Sequence, residues 1–200
     1  MLFNAVNLRQ LSAARALTLA CAVATMTACS GKISGWIEVT ASDAEVSAQR
    51  QRAEASRDEL ASTLLTELQT ALSTGGVAKG IEVCKQRAPE IASAVGQKHR
   101  VSIGRSSSRL RNPSNVGPGW AAPSLVEATP RFFREQKDGR LGALFPIVLG
   151  PQCVVCHGKQ DALSSEVKAA LAEHYPTDRA TGFAPGDLRG WFWVEVPRGE

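Results

Sequence analysis

The chain has 200 residues, of which 44% are hydrophobic and 21% charged, and its formal net charge is +4 at pH 7. This balance excludes a fibrous or intrinsically disordered protein and is sufficient for one globular domain with a sizeable core. The lysines and arginines form no dense block, so we expect no nucleic-acid partner.

Residues 1–28 have the pattern of a secretory signal peptide. They contain Arg9 and Arg15, no acidic residue, and an apolar run that is too short to remain as a membrane-spanning helix. The run ends in Met26-Thr27-Ala28-Cys29, which resembles a bacterial lipobox. We therefore expect an extracytoplasmic, periplasmic protein that a lipid on Cys29 anchors to the membrane. The alternative is ordinary signal cleavage after the small residues at 22–24.

Residues 29–42 are small and rich in glycine and serine, which predicts a linker, although Trp36 and Ile37 could instead dock onto the fold. The domain is predicted to span residues 43–200. A first helix is expected over residues 43–72 with Ser42 as its N-cap, because this stretch contains no glycine or proline. Its first half is polar almost all round and predicts a solvated arm or a partner-binding segment. A leucine at every fourth position from Leu60 to Leu72 gives only the second half a core face.

Gly75-Gly76 is expected to end that helix, and a second helical pattern follows. Its apolar positions recur at intervals of four and three residues from Val77 to Val95 and define one face, which includes Cys84. Pro89 is expected to interrupt this helix, because proline cannot donate a hydrogen bond to the carbonyl of Lys85.

The remaining segments alternate between strands, loops and helices. We predict strands over 101–105, 144–149 and 188–196, a loop over 106–123, and helices over 124–137 and 164–174. There is no internal repeat and no regular βαβ alternation, so the predicted fold class is α+β.

The segment Cys153-Val154-Val155-Cys156-His157 is the attachment motif of a c-type haem. Two thiols separated by two residues can form thioethers to one porphyrin edge, while the adjacent imidazole ligates the iron. A zinc site would require a second ligand pair, which the sequence lacks, and a redox dithiol leaves the histidine unexplained. We therefore predict one covalent haem c on Cys153 and Cys156, with His157 as the proximal ligand.

The second axial ligand is less constrained. The only methionines, Met1 and Met26, lie in the predicted signal, which excludes the His/Met ligation common in electron-carrying cytochromes. Cys84, His99, His174, a lysine or an open position remain. We favour Cys84, because it lies on an apolar face and because the flanking Lys85 and Arg87 would favour its thiolate. The alternative is an inert buried cysteine. Three arginines of the irregular segment, Arg105, Arg109 and Arg111, are candidate haem propionate contacts or a solvated basic loop.

Several segments, in order, resemble a family of bacterial extracytoplasmic c-type haem domains with a PAS-like fold. These segments comprise Gly75–Ala78, Ile81–Lys85 with Ala88-Pro89, Gly104–Ser106, Arg109–Pro113, Pro146-Ile147, Cys153–Gly158, Tyr175–Asp178, Ala180–Phe183 and Gly186–Gly190. Members occur alone, as in cyanobacteria, and as the sensor region of histidine kinases. The resemblance implies a PAS-like antiparallel sheet with a long N-terminal helix and flanking helices. It also implies Cys/His axial ligation with Cys84 as the distal ligand; Phe183 stands where the family is expected to have tyrosine.

These features predict a lipid-anchored haem protein that senses redox state or a gas. Thiolate ligation stabilises ferric iron, so reduction could let CO or NO replace the sulfur. We expect an unidentified redox or signalling partner protein to receive the signal. The alternative is an electron-transfer monohaem cytochrome. An enzyme such as a peroxidase ranks last, because it would need an open distal site with acid/base groups.

Overall fold

The computed structural model describes residues 35–122 and 128–199. The predicted signal peptide and residues 29–34 of the predicted linker, which include the predicted lipid site at Cys29, lie outside these residues. No helix in the described ranges is long and apolar enough to cross a membrane.

Five strands form one antiparallel sheet. They are β1 (Trp36–Val39), β2 (Ser102–Ser106), β3 (Arg131–Glu135), β4 (Leu141–Val148) and β5 (Leu188–Val196), in the spatial order β1-β3-β4-β5-β2. The long central pair β4 and β5 sets Phe145 opposite Phe192, and an irregularity between Ile147 and Val148 ends their regular register. The sheet and its helices confirm the predicted α+β class.

Within residues 35–122 and 128–199, three α-helices accompany the sheet: α1 (Ser47–His99), α2 (Val154–His157) and α3 (Ser165–His174). Within α1 the backbone leaves helical geometry at Gly75 (φ −147°, ψ 16°) and Gly76 (φ 68°, ψ −165°). The second glycine has a positive φ and an extended ψ, a combination that side-chain-bearing residues rarely adopt. The predicted end of the first helix at this glycine pair is therefore confirmed.

The glycine pair folds α1 into a helical hairpin with an N-terminal arm (47–74) and a C-terminal arm (77–99). Lys98 Nζ lies 2.8 Å from Glu59 Oε2, although the two residues are 39 apart in sequence. A straight helix of that length would separate them by about 58 Å. Arg87 and Glu67, 20 residues apart, also pair at 3.4 Å. The arms must therefore run antiparallel and side by side.

Both arms of α1 pack on one face of the sheet. Their buried residues Ala53, Leu60, Ile91 and Val95 form a single core with inward-facing residues of β2, β3, β4 and β5. The opposite face carries an aromatic cluster in which Trp36 stacks on Trp120 at 5.0 Å. Residues 36–39 therefore belong to the sheet, as the docking interpretation of Trp36 and Ile37 expects.

The N-terminal arm is not a solvated arm, so that prediction is wrong. Gln49, Ala53 and Ser56 are buried, and the small side chains allow the helix to approach the sheet closely. Gln49 Nε2 donates to Val196 O at 2.9 Å and to Gly139 O at 3.1 Å, which satisfies its buried amide. The predicted N-cap is also wrong, because α1 begins at Ser47 after a 3₁₀ turn and has no side-chain cap.

Two further predictions about elements are wrong. Residues 131–135 form strand β3 instead of the end of a helix, and the chain then turns through 136–140 into β4. The backbone of α1 also keeps helical angles through Pro89, because the non-helical residues within α1 are Gly75 and Gly76. Pro89 lies on the exposed side, where water can satisfy the carbonyl that loses its intrahelical partner.

Candidate functional site

The Cys-x-x-Cys-His motif folds as a short helical segment directly after β4. Pro151–Cys153 form a 3₁₀ turn that runs into α2, so Cys153 and Cys156 are three residues apart on helical backbone and lie on the same side. Both are free, half-buried cysteines. Gly158 ends α2, and a Cβ atom there would lie 2.5 Å from Val154 O, so only glycine fits this close return of the chain.

The imidazole of His157 has one nitrogen committed to the protein. Nδ1 lies 2.7 Å from Ala180 O, and because a carbonyl only accepts, Nδ1 must carry the proton. Arg189 Nε, 3.3 Å from the same nitrogen, therefore makes an electrostatic contact instead of a hydrogen bond. Burial, helped by the charges of Arg111 and Arg189, lowers the pKa of His157 to about 3. The histidine is thus neutral, with Nε2 available as a metal ligand.

The loop that follows α3 forms hydrogen bonds with the backbone of the motif. Phe183 N donates to His157 O at 3.0 Å, and Gly182 N donates to Gly158 O at 2.7 Å. Arg111 Nη2 donates to Cys156 O at 2.5 Å. Three consecutive motif carbonyls are therefore bound, and the Phe183 ring lies edge-on to the His157 ring at 6.3 Å between centroids.

Cys84 lies on the C-terminal arm of α1, and its electrostatic neighbours place it beside the motif. Burial raises the pKa of the Cys84 thiol, while the charges of Arg105 and Arg111 act in the opposite direction. Burial also raises the pKa of the Cys156 thiol, and the proximity of Cys84 acts in the same direction. Burial and the proximity of Cys84 raise the pKa of Tyr175 to about 12.

The expected source of positive charge around Cys84 is wrong. Lys85 and Arg87 are exposed, and Arg87 pairs with Glu67 and Glu90 at the surface. Lys85, the next residue on the helix, points away from Cys84, and the charge of Arg87, three residues on, is taken up by its carboxylate partners. The cations that act on Cys84 come instead from β2 and the segment that follows it.

The three candidate propionate arginines have different surroundings. Arg105 is a half-buried residue of β2 near Cys84 and Tyr175, and burial lowers its pKa. Arg109 stacks on the Phe183 ring, 3.5 Å from its centroid, and donates to Thr181 O at 3.0 Å. Arg111 pairs with Asp178 and binds two backbone carbonyls. Propionate binding by these residues stays a prediction.

The two other histidines considered as ligands are the last residues of helices. His99 ends α1 and its Nε2 lies 2.8 Å from Glu59 Oε2 in the helical hairpin. His174 ends α3. The described residues hold no cluster of three or more histidine, cysteine, aspartate or glutamate side chains that could bind a metal ion.

An open groove of about 630 Å³ lies outside this region, between the end of α1, β2 and Trp193. It is lined by Pro89, Ala92, Gly96 and Ile103 among others, and by none of the predicted site residues. The chemistry-bearing side chains therefore converge at α2 and not at this groove.

The model of the family described as Tll0287-like matches residues 37–197. The chain belongs to the Tll0287-like family. A solved structure described as the crystal structure of the cyanobacterial heme-protein Tll0287 has a TM-score of 0.56 and 18% sequence identity to it, covering 76% of this chain and 97% of that chain. No curated protein matches the chain. The resemblance inferred from the sequence motifs is confirmed.

The structure of this Tll0287-like chain adds residues that sequence reasoning did not assign to the site. Ala180 supplies the carbonyl for His157, Asp178 pairs with Arg111, and Tyr175 packs in the cluster that contains Cys156. The signal for all three was their place in the Tyr175–Asp178 and Ala180–Phe183 segments of the family pattern. A backbone carbonyl carries no sequence signature of its own, so its role required the folded loop.

Proposed function

We propose that this chain binds one haem c through thioethers to Cys153 and Cys156, with His157 Nε2 and Cys84 Sγ as axial ligands. The observation that carries the proposal is the His157 hydrogen bond to Ala180 O, because it leaves a neutral Nε2 beside two free thiols. The match to a relative described as a heme-protein supports the same cofactor.

The donor set suits such a group. The His157 ring is neutral and oriented by Ala180, which is the arrangement that metal-ligating histidines use in proteins. Burial raises the pKa of the Cys84 thiol despite the opposing charges of Arg105 and Arg111, so the thiol is protonated without a metal and would lose its proton on binding one. Bound haem would supply a redox-active iron whose potential these ligands tune.

The role of the protein follows from Cys84. Because the C-terminal arm of α1 carries this residue, loss of its ligation would release a contact between the helical hairpin and the α2 region. We propose that the chain is a redox- or gas-responsive sensor, and that reduction with CO or NO binding displaces Cys84. A separate redox or signalling partner would read the changed position of the arm. With both axial positions filled by the chain, we propose no enzymatic activity.

The alternative function is electron transfer by a monohaem cytochrome. Cys153 and Cys156 are only half-buried, so a haem edge at these thiols would lie near solvent and near a redox partner. Reduced protein that exchanges electrons rapidly and retains Cys84 under CO or NO would favour this function over sensing.

The location is also a proposal. We propose export to the periplasm by residues 1–28 and lipid anchoring through Cys29, supported by the lipobox-like sequence Met26-Thr27-Ala28-Cys29. Haem attachment to cysteines in an extracytoplasmic compartment is consistent with this destination.

Mass spectrometry tests the cofactor. Protein expressed in bacteria that mature c-type cytochromes should carry the mass of one haem after denaturation, because thioether bonds survive unfolding. The Cys153→Ala/Cys156→Ala variant is the control and should lose that mass. A haem-free mass for the parent protein would refute the proposal.

A further inference from the structure

Arg111 and Asp178 form a buried ion pair next to the motif. Arg111 Nη2 and Nε lie 3.1 and 3.2 Å from Asp178 Oδ2, and the two side chains are only 12% and 9% exposed. A buried pair of this kind gives little net stability in many proteins, because desolvation offsets the attraction. The role of the pair therefore depends on the backbone groups that it binds and not on the stability that it adds.

Both members of the pair bind the backbone that holds His157. Asp178 Oδ1 accepts from Ala180 N at 2.8 Å, and Arg111 Nη2 lies 3.3 Å from Ala180 O. The Ala180 carbonyl that accepts from His157 Nδ1 is thus shared with a guanidinium, and the amide of the same residue is fixed by the carboxylate. Arg111 also donates to Cys156 O, one residue before the histidine.

We propose that Arg111 and Asp178 act as a positioning pair that sets the direction and the acceptor strength of Ala180 O, and through it the orientation and electron donation of the His157 imidazole. This inference rests on the proposed haem function. A guanidinium that donates to the same oxygen withdraws electron density from it, so Nδ1–H is held less strongly and the ring becomes a weaker donor at Nε2. Asp178 holds Arg111 in the position from which it donates, and the carboxylate charge weakens the effect of the guanidinium on Ala180 O.

The pair gives Arg111 a role other than contact with a propionate. Its Nη2 points to protein acceptors on the histidine side of the motif, namely Cys156 O, Ala180 O and the Asp178 carboxylate. Lysine could keep the charge at this position but could not hold the carboxylate and the carbonyls with one planar group. Asparagine at 178 could keep the contact with Ala180 N but would lose the ionic bond to Arg111.

Pulsed EPR of the ferric holoprotein tests this proposal, because the quadrupole coupling of the remote imidazole nitrogen reports its hydrogen bond directly. We expect Asp178→Asn and Arg111→Lys to shift this coupling and to broaden the g values or split them into two low-spin species. Asp138→Asn is the matched control, since Asp138 also pairs with an arginine, Arg140, but in the β3–β4 turn, and we expect it to give the parental spectrum.

Parental quadrupole coupling and g values in both site variants would overturn the proposal, as would an equal shift in the Asp138→Asn control. Failure of the positioning role can be distinguished from failure of the proposed haem function. If the parent protein carries no covalent haem, the proposed function fails. If all proteins carry haem with His157 and Cys84 ligation and their Nδ1 couplings agree, only the positioning role fails.

Discussion

At the scale of single residues, one hydrogen bond determines what His157 can do. Donation from Nδ1 to Ala180 O fixes the tautomer, and burial among Arg111 and Arg189 keeps the ring neutral well below the usual titration range. Neutrality is what a metal ligand requires, and it has a consequence for stability that can be measured without haem.

The haem-free protein should lose stability as the pH falls through the window between the unfolded and folded pKa values of His157. The usual pKa is 6.5 and the folded pKa is about 3, so in this window the unfolded chain binds a proton that the folded chain does not. In a Cys153→Ala/Cys156→Ala background, urea unfolding should show a loss of about 2 kcal/mol from this residue between about pH 7 and about pH 4.5.

The His157→Gln variant in the same background isolates this contribution. It should show a shallower fall in stability over the same pH range, because glutamine does not titrate. Identical pH dependence of the two unfolding free energies would contradict the assigned environment of His157.

The sequence predicted part of the site. Cys153, Cys156 and His157 are a contiguous motif whose spacing encodes the chemistry, so no folded structure was needed to propose them. Helix periodicity predicted the face on which Cys84 lies. Cys84 shares this face with Ile81, which packs in the cluster beside Cys156. The contributions of Arg105, Asp178 and Ala180 depend on how separate segments meet, and neither spacing nor charge along the chain predicts that meeting.

At the scale of elements, the α1 hairpin brings Cys84 to the motif. Gly76 makes the reversal with φ 68° and ψ −165°, a conformation that is essentially restricted to glycine. The N-terminal arm then packs Leu60 against one face of the sheet, and the C-terminal arm packs Ile91 and Val95 against the same face.

Gly76→Ala should therefore destabilise the protein by about 1–3 kcal/mol, because alanine strains the backbone at this reversal. Chemical denaturation measures the effect. Gly119→Ala is the control, since a Cβ atom at Gly119 has no neighbour within 4 Å, and its change should remain within about 0.5 kcal/mol. Equal stability of the two variants would argue against the hairpin reversal at Gly76.

The leucines of the N-terminal arm should differ sharply in their contributions. Leu60 is fully buried, whereas Leu65 is 44% exposed. Leu60→Ala should lower the unfolding free energy by about 2–5 kcal/mol, and Leu65→Ala by about 0.5 kcal/mol. Similar losses in both variants, measured by urea titration, would contradict the packing of this arm.

Local patterns predicted the elements best where burial and periodicity agree. The strand over 188–196 appears as predicted, and the helix predicted over 164–174 appears as α3, for which Ser164 is the N-cap. The polar N-terminal arm was misjudged because alanine and serine can form a close-packed face that hydrophobicity does not reveal. Residues 131–135 were predicted as part of a helix over 124–137. The pleat of β3 instead sends Phe132 and Phe133 into two different clusters, one on each face of the sheet.

At the scale of the whole molecule, the sheet supports the α1 hairpin on one face and presents the α2 region after the end of β4. The region that would bind haem lies between the C-terminal arm, α3 and the loop over 175–183. This arrangement would connect the ligation state of Cys84 with the position of a helix in the proposed sensor, and the proposed lipid on Cys29 would keep the domain at the membrane surface.

The proposed anchoring predicts how the mature protein fractionates. Full-length protein should be found with membranes and should carry a lipid mass on Cys29, while Cys29→Ser should release the domain into the periplasmic fraction. A soluble mature protein that begins near residue 25 would favour ordinary signal cleavage and contradict the anchor.

Low-temperature EPR of the ferric protein tests the central claim, namely that His157 and Cys84 are the two axial ligands of a covalent haem. We expect a low-spin spectrum with the narrow spread of g values typical of thiolate ligation. The Cys84→Ala variant should lose that signal while keeping the covalent haem, and Val83→Ala, a change at the adjacent half-buried position, should retain it. An unchanged low-spin spectrum in Cys84→Ala would show that Cys84 is not an iron ligand.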